Sequence, residues 1–150
     1  MNNPTGIDTA APVVARHNVD IDAPLSTIWH LHTDVNNWPQ WQTDITSAHA
    51  ESPFAPGASF TWTSFGFTVT STIYEVVECS RVLWGGTADG ITGVHEWIFR
   101  ETSAGGVQVT TNESFAGDPV AADAAGMQSI LDGSLSSWLH HLKVAAESAT

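Results

Sequence analysis

Residues 93–115, GVHEWIFRETSAGGVQVTTNESF, decide the fold. Side chains alternate along a strand, so His95, Trp97 and Phe99 share one face while Glu96, Ile98 and Arg100 share the other. In the returning segment Val107, Val109, Thr111, Glu113 and Phe115 form one set, and Gln108, Thr110, Asn112 and Ser114 form a polar one. Matching the apolar sets predicts a β-hairpin with Phe99 opposite Val109, Trp97 opposite Thr111 and His95 opposite Glu113. Thr102 to Gly106 are then the turn. Two ionisable groups therefore meet on an otherwise apolar face. Burying either charge alone is costly, whereas a hydrogen-bonded pair is tolerable.

The same reading extends outward in both directions. VVARHNVDI (13–21) alternates, with Val13, Ala15, His17, Val19 and Ile21 on one face, as a half-buried strand does. DAPLSTIWHLHTD (22–34) starts a helix, with Pro24 in its first turn and Leu25, Ile28, Trp29 and His32 at helical spacing. Trp38 and Trp41 are assigned to packing, pinning a short helical piece over the sheet rim. Strands follow at roughly 44–50, 58–65, 67–78 and 81–86. The chain closes with one long helix, Asp118 as its N-cap and Pro119 at its first position. Its inner stripe reads Met127, Leu131, Ser134, Trp138, Leu142 and Ala145, with Asp132, Ser136, Lys143 and Glu147 opposite. Residues 1–12 lack periodicity and read as a disordered tail, leaving 13–150 as one domain. The class is α+β, an antiparallel sheet with helices on one face.

The chain has 150 residues, 16 acidic and 4 basic, for a net charge of −12. That balance repels phosphate backbones and anionic membranes, so neither nucleic acid nor membrane is an expected partner. The N-terminal stretch lacks a basic region followed by an apolar run, and the expectation is a soluble, cytoplasmic protein. The single cysteine, Cys79, reads as a packing residue. His30 and His32 are two residues apart and His140 and His141 are adjacent, spacings that do not converge on a metal ion. "GGTADGITG" lacks the spacing of a phosphate cradle, and no nucleophile-elbow signature is present. Neither a metal nor a cofactor is expected.

IDAPLSTIWHLHTDVNNWPQW, APGASFTW, VLWGG, VHEWIFRETSAGGVQVTTNESFAG and SLSSWLHHLKVAAE resemble, in order and spacing, the START/Bet v 1-like (SRPBCC) superfamily and its polyketide cyclase/dehydrase group. The resemblance runs from about Val13 to Glu147. It implies a helix-grip fold, in which a curved seven-stranded antiparallel sheet wraps a long C-terminal helix around a hollow for an apolar ligand. Members include cyclases, lyases, ligand receptors and lipid carriers, so the fold does not choose the function.

In such a hollow Phe60, Trp62, Trp84, Trp97, Phe99 and Trp138 would form an aromatic wall, with Ser71 and Ser134 as polar points. Any one of these rings also suits an ordinary core. Seven tryptophans in so short a chain favour a flat ligand. His95 is the candidate general base or acid, Glu113 orients it, and His17 polarises a carbonyl or leaving hydroxyl if the first strand neighbours the last. The expected function is cofactor-independent proton transfer on an apolar polycarbonyl or cyclic intermediate, as in a polyketide cyclase or dehydratase. The alternative is a non-catalytic carrier or sensor of a hydrophobic small molecule. The oligomeric state stays open, a homodimer included.

Overall fold

Alternating apolar and polar side chains draw out seven strands in the computed structural model, which describes residues 3–149. They are β1 (Val13–Ile21), β2 (Ile45–Ala50), β3 (Ser59–Ser64), β4 (Phe67–Val77), β5 (Arg81–Ala88), β6 (Ile91–Glu101) and β7 (Val107–Ala116). Helices α1 (Leu25–Thr33) and α2 (Trp38–Trp41) follow β1, and α3 (Asp118–Ala122) and α4 (Ala124–Ser148) close the chain. The strands form one antiparallel sheet in the order β1-β7-β6-β5-β4-β3-β2. β1 and β2 are its free edges, so the curved sheet grips α4 without closing.

The hairpin has the expected register: Phe99 opposite Val109, Trp97 opposite Thr111 and His95 opposite Glu113. Its turn is closed by Thr102 N donating to the Gly106 carbonyl (2.9 Å), with Gly105 at φ +92°. The double glycine of VLWGG has a steric origin. A Cβ on Gly85 would lie 2.2 Å from the Gly93 carbonyl oxygen and one on Gly86 2.6 Å from that of Thr70, so both neighbouring strands approach too closely for any side chain.

Two expectations about the C-terminal helix are corrected. The helix is broken: Asp118 lies inside short α3, which Gly117 precedes at φ 122°, and the cap of α4 is Asp123. Asp123 departs from helical geometry (φ −147°, ψ 61°) and its carboxylate accepts from Gly126 N at 3.2 Å, which is what an N-cap does. The buried stripe of α4 is Leu131, Leu135, Trp138, Leu139, Leu142 and Ala146, while Met127, Ser134 and Ala145 are only half-buried. The reason lies beside the helix. Gln128 donates to the Val14 carbonyl, Asp132 meets His17, and Lys143 donates to the Asp20 carbonyl. The face read as solvent-facing is thus partly spent on edge strand β1, which rotates the apolar stripe.

The N-terminal segment is also corrected. Residues 1 and 2 lie outside the described residues, but the following ones are laid across the outer face of the sheet. Arg81 Nη2 donates to the Thr5 carbonyl (2.9 Å) and Asp8 N to Ser114 Oγ (3.0 Å). On that face Leu83, Val94, Asn112 and Ser114 are buried. Arg81 also pairs with Glu75 and Glu96, and Asn112 donates to Glu96.

Between sheet and α4 the interior divides into two apolar clusters. The larger gathers Trp38, Phe60, Trp84, Trp97, Phe99 and Trp138; the smaller gathers Val13, Ala15, Val120, Leu131 and Leu135 at the other end. Trp38 is not at the rim as expected. It is fully buried, 5.1 Å from Trp138 and 5.2 Å from Phe60 between ring centroids, and its indole N–H donates to the His32 carbonyl.

Candidate functional site

β6 and β7 carry the only two expected catalytic groups that come together. His95 is 2% exposed, and its Nδ1 lies 3.4 Å from Oε1 of Glu113, which is 14% exposed. On the other side of the ring, His95 Nε2 is 2.6 Å from Thr111 Oγ1. The Thr111 hydroxyl donates to the Glu96 carbonyl (3.3 Å), so it accepts from His95 and the imidazole proton sits on Nε2. Nδ1 therefore presents its lone pair to Glu113. Sequence reasoning placed Thr111 opposite Trp97 but missed its role; a threonine among apolar inward residues was the available signal.

Both groups are held in their neutral forms. Burial, reinforced by the nearby His32, holds the His95 imidazole well below its usual range. Burial likewise pushes the Glu113 carboxyl up to about 8. A neutral carboxyl facing an imidazole lone pair has one natural arrangement, its O–H directed at Nδ1. Oε2 then remains free, on the side where Gly93 adds no side chain: a Cβ there would stand 3.4 Å from that oxygen.

His17 does not join the pair. β1 does neighbour β7, but register puts Ala15 opposite Glu113 and His17 opposite Thr111. The His17 ring turns to α4, Nε2 2.8 Å from Asp132 Oδ1, and this contact holds the Asp132 carboxyl below its ordinary value. Being half-exposed at the sheet edge, His17 finds a carboxylate nearer than the buried pair.

The aromatic residues assemble as one body. Trp84 and Trp97 flank His95 at 4.7 and 5.1 Å, and Trp138 faces Trp97 at 5.5 Å. Trp62, half-buried, reaches Trp84 at 5.9 Å and donates its indole N–H to Ser71 Oγ (3.1 Å). Ser71 is therefore engaged with a ring, and Ser134 stands beside the buried stripe, whose central place Leu135 takes. Phe99 lies at the α1 end against Trp29 (5.4 Å). Two recesses open at the rim. One of about 180 Å³ lies between Asp34, Phe54, Phe60 and Ile73, and a wider one lies between Trp29, Asp34, Phe54 and Glu78. Neither is lined by His95 or Glu113.

Among the described residues no group of three or more His, Cys, Asp or Glu side chains is gathered as metal ligands would be. No helix among them is long and apolar enough to cross a membrane.

An open seven-stranded sheet gripping a C-terminal helix, with a polar pair set in an aromatic interior, defines a START-like helix-grip protein. The chain belongs to the family described as polyketide cyclase/dehydrase and lipid transport, whose model matches residues 12–147. No curated protein matches the sequence. Among solved structures it is similar to the hypothetical protein jhp0584 from Helicobacter pylori, at TM-score 0.81 and 17% identity over 97% of this chain and 99% of that one. A START superfamily protein from Mycobacterium smegmatis matches at TM-score 0.78 and 14% identity, over 91% and 99% of the two chains. The di-domain aromatase/cyclase BexL of the BE-7585A biosynthetic pathway matches at TM-score 0.73 and 19% identity, covering 89% of this chain and 46% of that one. At these identities the likeness is one of fold.

Proposed function

We propose that the protein is a polyketide cyclase- or dehydratase-like enzyme that moves protons on a neutral polycarbonyl or cyclic substrate without a cofactor. The observation that carries this reading is the buried facing of His95 and Glu113 at 3.4 Å inside an aromatic interior, where burial pushes the carboxyl up to about 8 and holds the imidazole well below its usual range. Glu113 is the group with a free oxygen, so it meets the substrate; His95 has both nitrogens engaged and stores the proton. An α-hydrogen passes to Glu113 Oε2 while the Oε1 proton passes to His95 Nδ1, and the C–H electron pair enters the enol system. Run in reverse at a β-hydroxyl, the relay returns the proton, the C–O bond breaks and water leaves. The transient imidazolium lies between Trp84 and Trp97, whose faces attract a cation. Family membership and the aromatase/cyclase fold neighbours support the substrate class.

The test uses 1-indanone as an enolisable aromatic ketone in deuterium oxide, with α-hydrogen exchange followed by NMR. The protein is expected to accelerate exchange above buffer, and Glu113→Gln or His95→Gln to reduce the acceleration roughly 10²–10⁴-fold, the range of a positioned acid or base. His17→Gln should leave it unchanged. Binding of the ketone without any acceleration would instead favour a carrier.

A further inference from the structure

His32 lies on α1 and is fully buried among rings, 4.6 Å from Trp97, 6.4 Å from Trp84 and 6.5 Å from Trp138 between centroids. Burial draws its pKa down to about 3, so the ring is neutral at physiological pH. Trp84 Nε1 stands 3.4 Å from His32 Nε2. An indole nitrogen only donates, so Nε2 is the acceptor and the one imidazole proton is on Nδ1. That Nδ1–H has no partner among the described residues, and neither has the indole N–H of Trp97. Two neighbouring rings thus each carry a buried, unanswered N–H donor in an apolar interior, where an unmade hydrogen bond is costly.

We propose that His32 and Trp97 form a two-donor station for a ligand carbonyl oxygen. This inference rests on the reading of the interior as a ligand site, and it adds the group that fixes the ligand's orientation. His95 is the next ring along, 5.1 Å from Trp97, so a carbonyl held at the station lies in the same aromatic compartment as the proton relay. The ligand is neutral: Arg16 and Arg100 are exposed, Arg81 is paired on the outer sheet face, and Lys143 is paired with Glu147, which leaves no cation in the interior to hold a carboxylate or phosphate. Phe54 lines both rim recesses and lies 6.2 Å from His32 between ring centroids, while neither recess is itself lined by His32 or Trp97.

The experiment compares 1-indanone with indane, the same ring system without the oxygen. Affinities are read by tryptophan fluorescence quenching, and the bound ketone's C=O stretch by infrared difference spectroscopy. The unsubstituted protein should bind indanone about tenfold or more tightly than indane, with the stretch moved to lower wavenumber. His32→Phe and Trp97→Phe keep a ring but remove an N–H, and each should lower indanone affinity about tenfold while sparing indane. Equal affinity for the two compounds, or an unshifted carbonyl, in the unsubstituted protein would overturn the station, and that comparison needs no variant to fold. Should neither compound bind, the ligand-site reading itself falls and the station with it. Persistent α-hydrogen exchange in Glu113→Gln would overturn the proton relay alone.

Discussion

Glu113 is a carboxyl group that folding keeps protonated over a range in which the unfolded chain has lost its proton. Its pKa rises from 4.5 to about 8, so the folded state binds the extra proton between those values and stability falls as pH rises through that window. His32 has the opposite sign: lowered from 6.5 to about 3, it stays neutral where the unfolded chain is protonated, so its contribution is lost as pH falls below 6.5. His95 shifts in the same direction. From 4.5 to 6.5 two histidines oppose one carboxyl, and above 6.5 only the carboxyl remains. Stability should therefore peak near pH 6.5, with each limb no steeper than about 1.4 kcal/mol per pH unit per proton. Urea denaturation midpoints from pH 4.5 to 8.5 measure this, and Glu113→Gln should abolish the decline on the alkaline side. An unchanged alkaline limb in that variant would mean the carboxyl ionises freely in the fold. At this scale the facing of His95 and Glu113 was legible from strand parity. The engagement of His95 Nε2 was not, because it depends on where the Thr111 hydroxyl points.

Among the elements α4 shows most clearly how far periodicity reaches. Leu131, Trp138 and Leu142 lie on the stripe that 3.6-residue spacing assigns, whereas Ser134 and Ala145 flank it. A helical wheel locates an apolar centre; the neighbour on its polar side decides the rotation about it, and here that neighbour is β1. Trp138 is ringed by Trp38, Trp41, Trp62 and Trp97, so Trp138→Ala should cost about 3–5 kcal/mol in thermal or chemical unfolding. Asp123→Ala removes only an N-cap acceptor and should cost about 1 kcal/mol. Equal losses for the two would contradict the placement of Trp138 in the core. Two aspartates, 118 and 123, precede good helical sequence, and local propensity does not choose between them. Backbone geometry does, since only Asp123 leaves the helical region.

For the molecule as a whole, the outer sheet face gives a third test. Leu83 and Val94 are buried there beneath a segment held through Thr5 and Asp8, so a chain lacking residues 1–11 should unfold at lower temperature and bind a hydrophobic dye more strongly. Identical melting of the shortened and full chains would mean the segment adds nothing to the face it covers. Composition hid this strap because a polar, aperiodic stretch can be ordered by the surface it meets. The sequence alone determined the strands, their parity and the hairpin register, because each follows from side chains a few residues apart and one face that must avoid water. It also determined that an ionisable pair would sit on an aromatic face. Tertiary structure decided which residue His17 would meet and which wall His32 would enter. It also decided which buried N–H groups would be left without acceptors. Those outcomes depend on strand order, helix rotation and the competition of distant groups for the same partner, and no local pattern along the chain records that competition.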